Sequence, residues 1–374
     1  MVWCMFMADL APFPKRSEKE LEKEKVLREI ERAKRIKKMR EEQMKAEKKE
    51  PQQTKEESEI PKYTLKDYVG QEKLKKFLKE KVEMLKKSEE HPEVFLKYNK
   101  SPFEGVLLYG PPGTGKTFLA KCLAGEASLP YFEIVISSIL SAYVGESEQN
   151  LEGILKKAKE NQPCILVFDE FDSIGTSREG SFRHGSEQIT RNIVNILNTR
   201  LSEMDLNKDK VLLIATTNMP WIIDPALRRS GRFTHSFYIG APTFQERIKY
   251  LQFYLSKIPS KVNTFLVAYL TDGFSQADLR KLVDEAKDIA VKTELTQKKE
   301  YKITTRDLIR IIKEERVKPT VYSWFSSVLS SFEKNDLKVE DRITYRPMIK
   351  ELINIKKKRE DILKKMLINV FSYI

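Results

Sequence analysis

The sequence is poor in the residues that build metal clusters and disulfide frameworks. Its 374 residues include three cysteines and three histidines. Cys4, Cys122 and Cys164 lie far apart, with neither zinc-site spacing nor the density of a disulfide scaffold. That usage suits a reducing compartment, so a cytoplasmic location is expected. His91, His184 and His235 are equally isolated. No run approaches the roughly 18 apolar residues that would cross a bilayer. The apolar start, 1–7, is too short for a secretion signal and has no basic lead. It reads either as a small docking peptide or as a stretch ahead of an ordinary start at Met7.

What is plentiful is charge. Charged residues make up 33% of the chain, and 68 Lys and Arg against 55 Asp and Glu leave a formal charge of +13. An excess of this sign admits an anionic partner such as nucleic acid, and lysine-rich solvated helices produce it equally well. Residues 15–60 alternate Lys, Arg and Glu around a thin apolar stripe that includes Leu21, Leu27, Ile30 and Ile36. The spacing predicts a long amphipathic helix, either single and supported by Glu–Lys pairs four apart or paired as a coiled coil. Pro51-Gln52-Gln53 ends it. Residues 1–60 are therefore expected to form a charged, partly disordered arm with a linker.

From Tyr63 onward apolar runs alternate with helical segments. The runs are Val106–Tyr109, Tyr131–Val135, Cys164–Phe168, Val211–Ala215 and Ser236–Ile239. Alternation of this kind predicts an α/β domain over 61–240, a parallel sheet with helices on both faces. Past Pro242 no further strand is evident. Helices are expected at Gln245–Lys257, Lys261–Leu270, Gln276–Thr293 and Thr305–Val317, making 241–320 a small all-helical unit. Residues 321–374 carry two more helical patterns, around Trp324–Phe332 and from Pro347 to Val370.

The chemistry is concentrated at three strand ends. Val106–Tyr109 runs into Gly110-Pro111-Pro112-Gly113-Thr114-Gly115-Lys116-Thr117, which fits G-x-x-x-x-G-K-[ST]. Glycines let the backbone curl so that successive N–H groups face phosphate oxygens. Lys116 can reach the β- and γ-phosphates, Thr117 can hold Mg²⁺, and the helix that opens there directs its positive end at the same anion. Cys164–Phe168 ends in Asp169-Glu170. Asp169 fits the second Mg²⁺ carboxylate, and Glu170 fits the base that activates the attacking water. Val211–Ala215 ends in Thr216-Thr217-Asn218, where Asn218 can hydrogen-bond the γ-phosphate or the water. The segment Asp224-Pro225-Ala226-Leu227-Arg228-Arg229-Ser230-Gly231-Arg232-Phe233 clusters arginines of the kind that stabilise a phosphoryl group in transfer.

Taken in order and at this spacing, the motifs resemble those of an AAA ATPase of the AAA+ superfamily, the group that includes katanin, spastin, the ESCRT-disassembly ATPase and the valosin-containing protein. The resemblance covers about 61–320. It implies a three-layer P-loop NTPase fold with a helical lid, and a homo-oligomer, a hexameric ring, with ATP and Mg²⁺ at each subunit interface. It implies that Asp169 and Glu170 are the Walker B pair and Asn218 is sensor 1. Arg229 and Arg232 would reach the neighbouring subunit's site. Tyr68-Val69-Gly70 resembles the loop that contacts adenine, with Phe118 following the phosphate loop. Ala142-Tyr143-Val144-Gly145 resembles a pore loop in which Tyr143 and Val144 grip an extended polypeptide, and Arg178 to Gly185 stands where a second would be. Gly273-Phe274-Ser275-Gln276-Ala277-Asp278-Leu279 is similar to the lid motif, with Ala277 at the nucleotide and Gln276 in place of the usual glycine.

Trp221 and Lys318-Pro319-Thr320 resemble the ESCRT-disassembly and katanin branch, whereas the arginine segment looks more like the valosin-containing protein, so the branch stays open. The implied activity is ATP hydrolysis that remodels a protein substrate, brought directly or by an adaptor. The +13 charge keeps an ATP-driven nucleic-acid motor or loader as the alternative.

Overall fold

The computed structural model describes residues 60–100, 104–141, 146–176, 184–203, 209–223, 227, 232–334, 345–351 and 353. The chain divides into two units, Met1–Gln53 and Thr54–Ile374, and the described residues all belong to the second. The charged arm expected over 1–60 lies, but for its last residue, outside them.

Two helices, α1 (Glu72–Glu90) and α2 (Pro92–Lys97), precede strand β1 (Glu104–Tyr109). There follow α3 (Lys116–Ala127), β2 (Tyr131–Val135), α4 (Ile136–Ser141), α5 (Glu146–Glu160), β3 (Cys164–Asp169), α6 (Ser173–Thr176), α7 (His184–Glu203), β4 (Val211–Thr217) and β5 (Phe233–Tyr238). These strands form one parallel sheet in the order β2-β3-β4-β1-β5. The expected strands are all present, and β5 begins three residues earlier than its apolar run, because Phe233 is buried under Phe168 and Phe171.

Period-two alternation divides the sheet between two cores. Val106 and Leu108 of β1, Ile165 and Val167 of β3, and Leu212 and Ile214 of β4 pack with Leu78 of α1 and Leu119 and Leu123 of α3. Leu107, Leu166, Phe168, Leu213 and Ala215 face the other way, onto Leu151 and Ile154 of α5 and Ile193 and Leu197 of α7. Both faces are covered, so the strands read as continuous apolar runs. Their polar ends then emerge together at the carboxyl edge of β3, β4 and β1, which are neighbours.

The lid contains α8 (Phe244–Leu255), β6 (Ser260–Lys261), α9 (Thr264–Leu270), α10 (Gln276–Gln297), β7 (Ile303–Thr304) and α11 (Thr305–Lys313). It is therefore not all-helical: β6 and β7 pair in parallel. Two-residue strands carry no readable periodicity, which is why the sequence pattern hides them. Helix α9 starts later than expected, since the Asn263 side chain accepts from Leu266 N and caps it. Thr243 with Glu246 and Ser275 with Asp278 make capping boxes at the starts of α8 and α10. Arg247 is buried at the lid's base, donating to Ala268 O at 3.0 Å and Pro242 O at 2.9 Å and pairing with Asp272 at 3.3 Å.

The last helices return to the sheet. In α12 (Thr320–Lys334), Thr320 Oγ1 donates to Asp278 Oδ1 at 2.6 Å, joining its start to the start of α10. Val321, Trp324, Phe325 and Val328 gather with Tyr345 and Met348 over Tyr109 of β1. Residues 346–351 are helical, and Tyr345 Oη donates to Pro220 O at 3.0 Å. Among the described residues no helix is long and apolar enough to cross a membrane.

Candidate nucleotide site

The glycine-rich loop leaves β1 at Gly110, whose φ is 149°, and enters α3 through Gly115, whose φ is 83°. A side chain at Gly110 would collide with the Ile239 carbonyl, so both conformation and space require glycine there. Between them Thr114 is buried, and its hydroxyl donates to Pro111 O at 2.9 Å. Pro112 is half-buried and Gly113 exposed at the crest. The loop is thus fixed from inside and open outward.

Lys116 is buried at the first position of α3. Its ammonium donates to Gly110 O at 3.1 Å, Pro111 O at 2.8 Å and Asn218 Oδ1 at 2.8 Å. Burial pushes its pKa down to about 8, while Asp172 and Asp169 pull the other way. A poorly solvated cation with neutral partners is poised to gain from an incoming phosphate.

Asp169 collects donors. Thr117 Oγ1 reaches its Oδ1 at 2.9 Å, Glu170 N at 3.0 Å, and the Thr216 hydroxyl bonds the same oxygen. Thr117 and Asp169 thereby present oxygen ligands side by side, the donor set that Mg²⁺ takes. Glu170 is exposed, sits at φ 53° and accepts from the Ser137 hydroxyl of α4. A positive φ on a non-glycine residue is uncommon and here turns the carboxylate off the strand line.

Residues that the sequence pattern did not single out complete this edge. Asp172 accepts from Thr217 Oγ1 at 3.0 Å and from Asn218 N at 3.2 Å. It therefore sets the position of the side chain that meets Lys116. Thr216 braces Asp169, and Ser137 braces Glu170. The polar run at the end of β4 hinted at the threonines. Asp172 carried only its place two residues after Glu170 as a signal.

The other end of the site joins the sheet domain to the lid. Tyr68 is buried, and its hydroxyl donates to Thr114 O at 3.3 Å. Val69 O accepts from Tyr250 of α8 at 2.8 Å, and Gly70 turns at φ 86°. Ala277 N donates to Gly113 O at 3.0 Å, joining α10 to the phosphate loop. Phe118 stands edge-on to Tyr63 with ring centres 5.2 Å apart. A cleft of about 570 Å³ opens here, lined by Tyr63, Gly113, Gly115, Phe118, Tyr254 and Gln276 among others. That size is ordinary for a small-molecule site.

The structure thus brings Gly110 to Phe118, Asp169, Glu170, Asn218, Val69, Gly70 and Ala277 around one strand edge and its adjoining cleft. Arg232 is elsewhere: its guanidinium donates to Asn198 Oδ1 and, at 3.1 Å, to Asn198 O on α7. Arg229, Tyr143, Val144 and residues 177–183 lie outside the described residues.

Comparison with known proteins adds a family. Residues 106–241 match the ATPase family associated with various cellular activities (AAA). The chain is 40% identical over 229 residues to the cell division cycle protein 48 homolog of Archaeoglobus fulgidus. That match covers 61% of this chain and 30% of the relative, so the chain spans under a third of that protein.

Proposed function

We propose that the chain is an AAA ATPase that assembles as a homohexamer in the cytoplasm, a reading supported by the match of residues 106–241 to the AAA family and by the similarity to the cell division cycle protein 48 homolog. In this reading it couples ATP hydrolysis to pulling a polypeptide through a central pore. The observation that carries the nucleotide chemistry is the convergence of Lys116 and Thr117, at the start of α3, with Asn218 and Asp169, at the ends of β4 and β3, within hydrogen-bonding reach.

Each group has a task. Backbone N–H groups of Gly113 to Thr117 and the Lys116 ammonium hold the phosphates. Thr117 and Asp169 would hold Mg²⁺, which supplies charge neutralisation on the phosphoryl oxygens. Glu170 takes the proton of the attacking water, with Ser137 restraining it until then. Asn218, set by Asp172, orients the γ-phosphate or the water. Arg229 and Arg232 stabilise developing charge in the neighbouring subunit, which for Arg232 means leaving Asn198. Force passes to the substrate through Tyr143 and Val144, since a ring and an aliphatic group hold side chains without reading sequence.

The test is ATP turnover and unfolding of a model substrate by wild type and by Tyr143→Ala. Unfolded polypeptide is expected to stimulate the wild type, and the variant is expected to lose unfolding. Stimulation by DNA or RNA in its place, or unfolding that survives Tyr143→Ala, contradicts the reading.

A further inference from the structure

Asn218 stands at the last point where the sheet can hold it. Up to Thr217 the chain is fixed by pairing: Tyr109 and Thr217 are partners in register, and Gly110 N donates to Thr217 O at 3.2 Å. After Asn218 the chain leaves the sheet through Met219 and enters one turn of 3-10 helix, Pro220–Ile222. Local bonds shape this exit. Met219 N donates to Thr217 Oγ1 at 3.0 Å, and Ile222 N donates to Met219 O at 3.3 Å.

A distant part of the chain grips that turn. Tyr345, beyond the residues 106–241 that match the AAA family, is wholly buried. A buried phenol needs a partner. The Tyr345 hydroxyl donates to Pro220 O at 3.0 Å, two residues past Asn218. Its ring stands edge-on to Tyr109, with ring centres 5.2 Å apart. Tyr109 is the last residue of β1, directly before Gly110 and the phosphate loop. Trp324 of α12 lies against Trp221, the next residue of the turn, with ring centres 6.5 Å apart. Phe325 and Val328 of α12 and Met348 belong to the same packed cluster as Tyr345. The phenol is thus held by its surroundings, and the turn is held by the phenol.

We infer that Tyr345 is a positioning residue for ATP hydrolysis: by holding Pro220 it sets where the Asn218 side chain points. The inference rests on the nucleotide site proposed above. Asn218 is placed from both sides. Asp172 accepts from its backbone N–H at 3.2 Å, and Tyr345 fixes the carbonyl two residues on. A shift of the turn moves the Asn218 amide relative to the γ-phosphate or the attacking water. A misplacement of about 1 Å, even from a change far from the chemistry, costs on the order of 100-fold in rate. Binding is less sensitive, since the Lys116 ammonium and the loop N–H groups carry it.

Single-turnover hydrolysis, ATP affinity and thermal unfolding of the full chain test this in wild type, Tyr345→Phe, Val328→Ala and Asn218→Ala. Phenylalanine keeps the ring and removes the hydroxyl. Val328 is buried in the same cluster, so its truncation reports what lost packing alone does. Tyr345→Phe is expected to slow hydrolysis about fivefold, in line with one neutral hydrogen bond, with ATP affinity unchanged within about twofold. Val328→Ala is expected to melt at least as far below wild type as Tyr345→Phe and to hydrolyse at the wild-type rate. Asn218→Ala is expected to be slower than Tyr345→Phe, since a residue that acts through Asn218 costs no more than Asn218 itself.

Tyr345→Phe at the wild-type rate beside a slow Asn218→Ala overturns this inference alone. So does a rate loss in Val328→Ala equal to that in Tyr345→Phe, a loss in Tyr345→Phe shared by affinity, or a Tyr345→Phe slower than Asn218→Ala. Asn218→Ala at the wild-type rate overturns the place of Asn218 in the site, and this inference with it.

Discussion

The two ends of the site are built differently. At the end proposed for the phosphates, Lys116 and Thr117 at the start of α3 meet Asp169 and Asn218 at the ends of the neighbouring strands β3 and β4, and each bonds another. At the end proposed for the nucleoside, Tyr68 and Val69 come from a loop, Tyr250 from α8 and Gln276 from α10, and the contacts cross from the sheet domain to the helices that follow it. The first end follows from the register of β3 beside β4 and from the start of α3. The second depends on how the sheet domain packs against the helices that follow it.

If that contrast is right, damage at the phosphate end should be severe and damage at the nucleoside end mild. The largest effect is expected from Lys116→Ala. Charge-assisted hydrogen bonds are worth about 1.5–3 kcal/mol each, so ATP affinity should fall by on the order of 100-fold in calorimetry. Asp172→Ala comes next. It frees the Thr217 hydroxyl and the Asn218 amide, and turnover should drop about tenfold while ATP binding changes by less than about threefold. An equal loss in both would mean that Asp172 acts on ground-state binding.

The pH dependence sharpens the same end. Burial holds Lys116 at about 8. Above that pH the free site is neutral there and must take up a proton to meet the triphosphate. ATP affinity should therefore be flat well below pH 8 and weaken by up to about tenfold per unit above it, with proton uptake visible as buffer-dependent binding heat. For the apoprotein the sign reverses. The unfolded chain keeps that proton up to its ordinary value near 10.5, so between about pH 8 and 10.5 this group adds stability as pH rises.

The smallest effect is expected from Tyr250→Phe. It deletes one neutral hydrogen bond to Val69 O, worth about 1 kcal/mol, so ATP affinity should fall only about fivefold. A loss matching that of Lys116→Ala would erase the contrast between the ends.

The same contrast governs what could be read from the sequence. The phosphate loop, the Asp169-Glu170 pair and Asn218 all sit at the ends of apolar runs, where local pattern states both structure and chemistry. The five strands and the helical layers followed from the same alternation. Asp172 was hidden because a carboxylate after a strand signals nothing until β4 is placed beside β3. The β6–β7 pair was hidden by its brevity. The hold of Tyr345 on Pro220 was hidden because it joins distant parts of the chain, which only the fold brings together. Arg232 shows the converse case. Its motif pointed outward to a neighbour, whereas within the chain it is bonded to Asn198.

The central claim is that Glu170, held by Ser137 beside Asp169, is the base of an ATP-hydrolysing site. Steady-state turnover and ATP affinity of Glu170→Gln, measured on the same preparation as wild type, test it most directly. Loss of a general base costs about 10²–10⁴-fold in rate, so turnover should nearly vanish while ATP still binds and ATP-bound rings accumulate. Turnover at the wild-type rate would contradict the account.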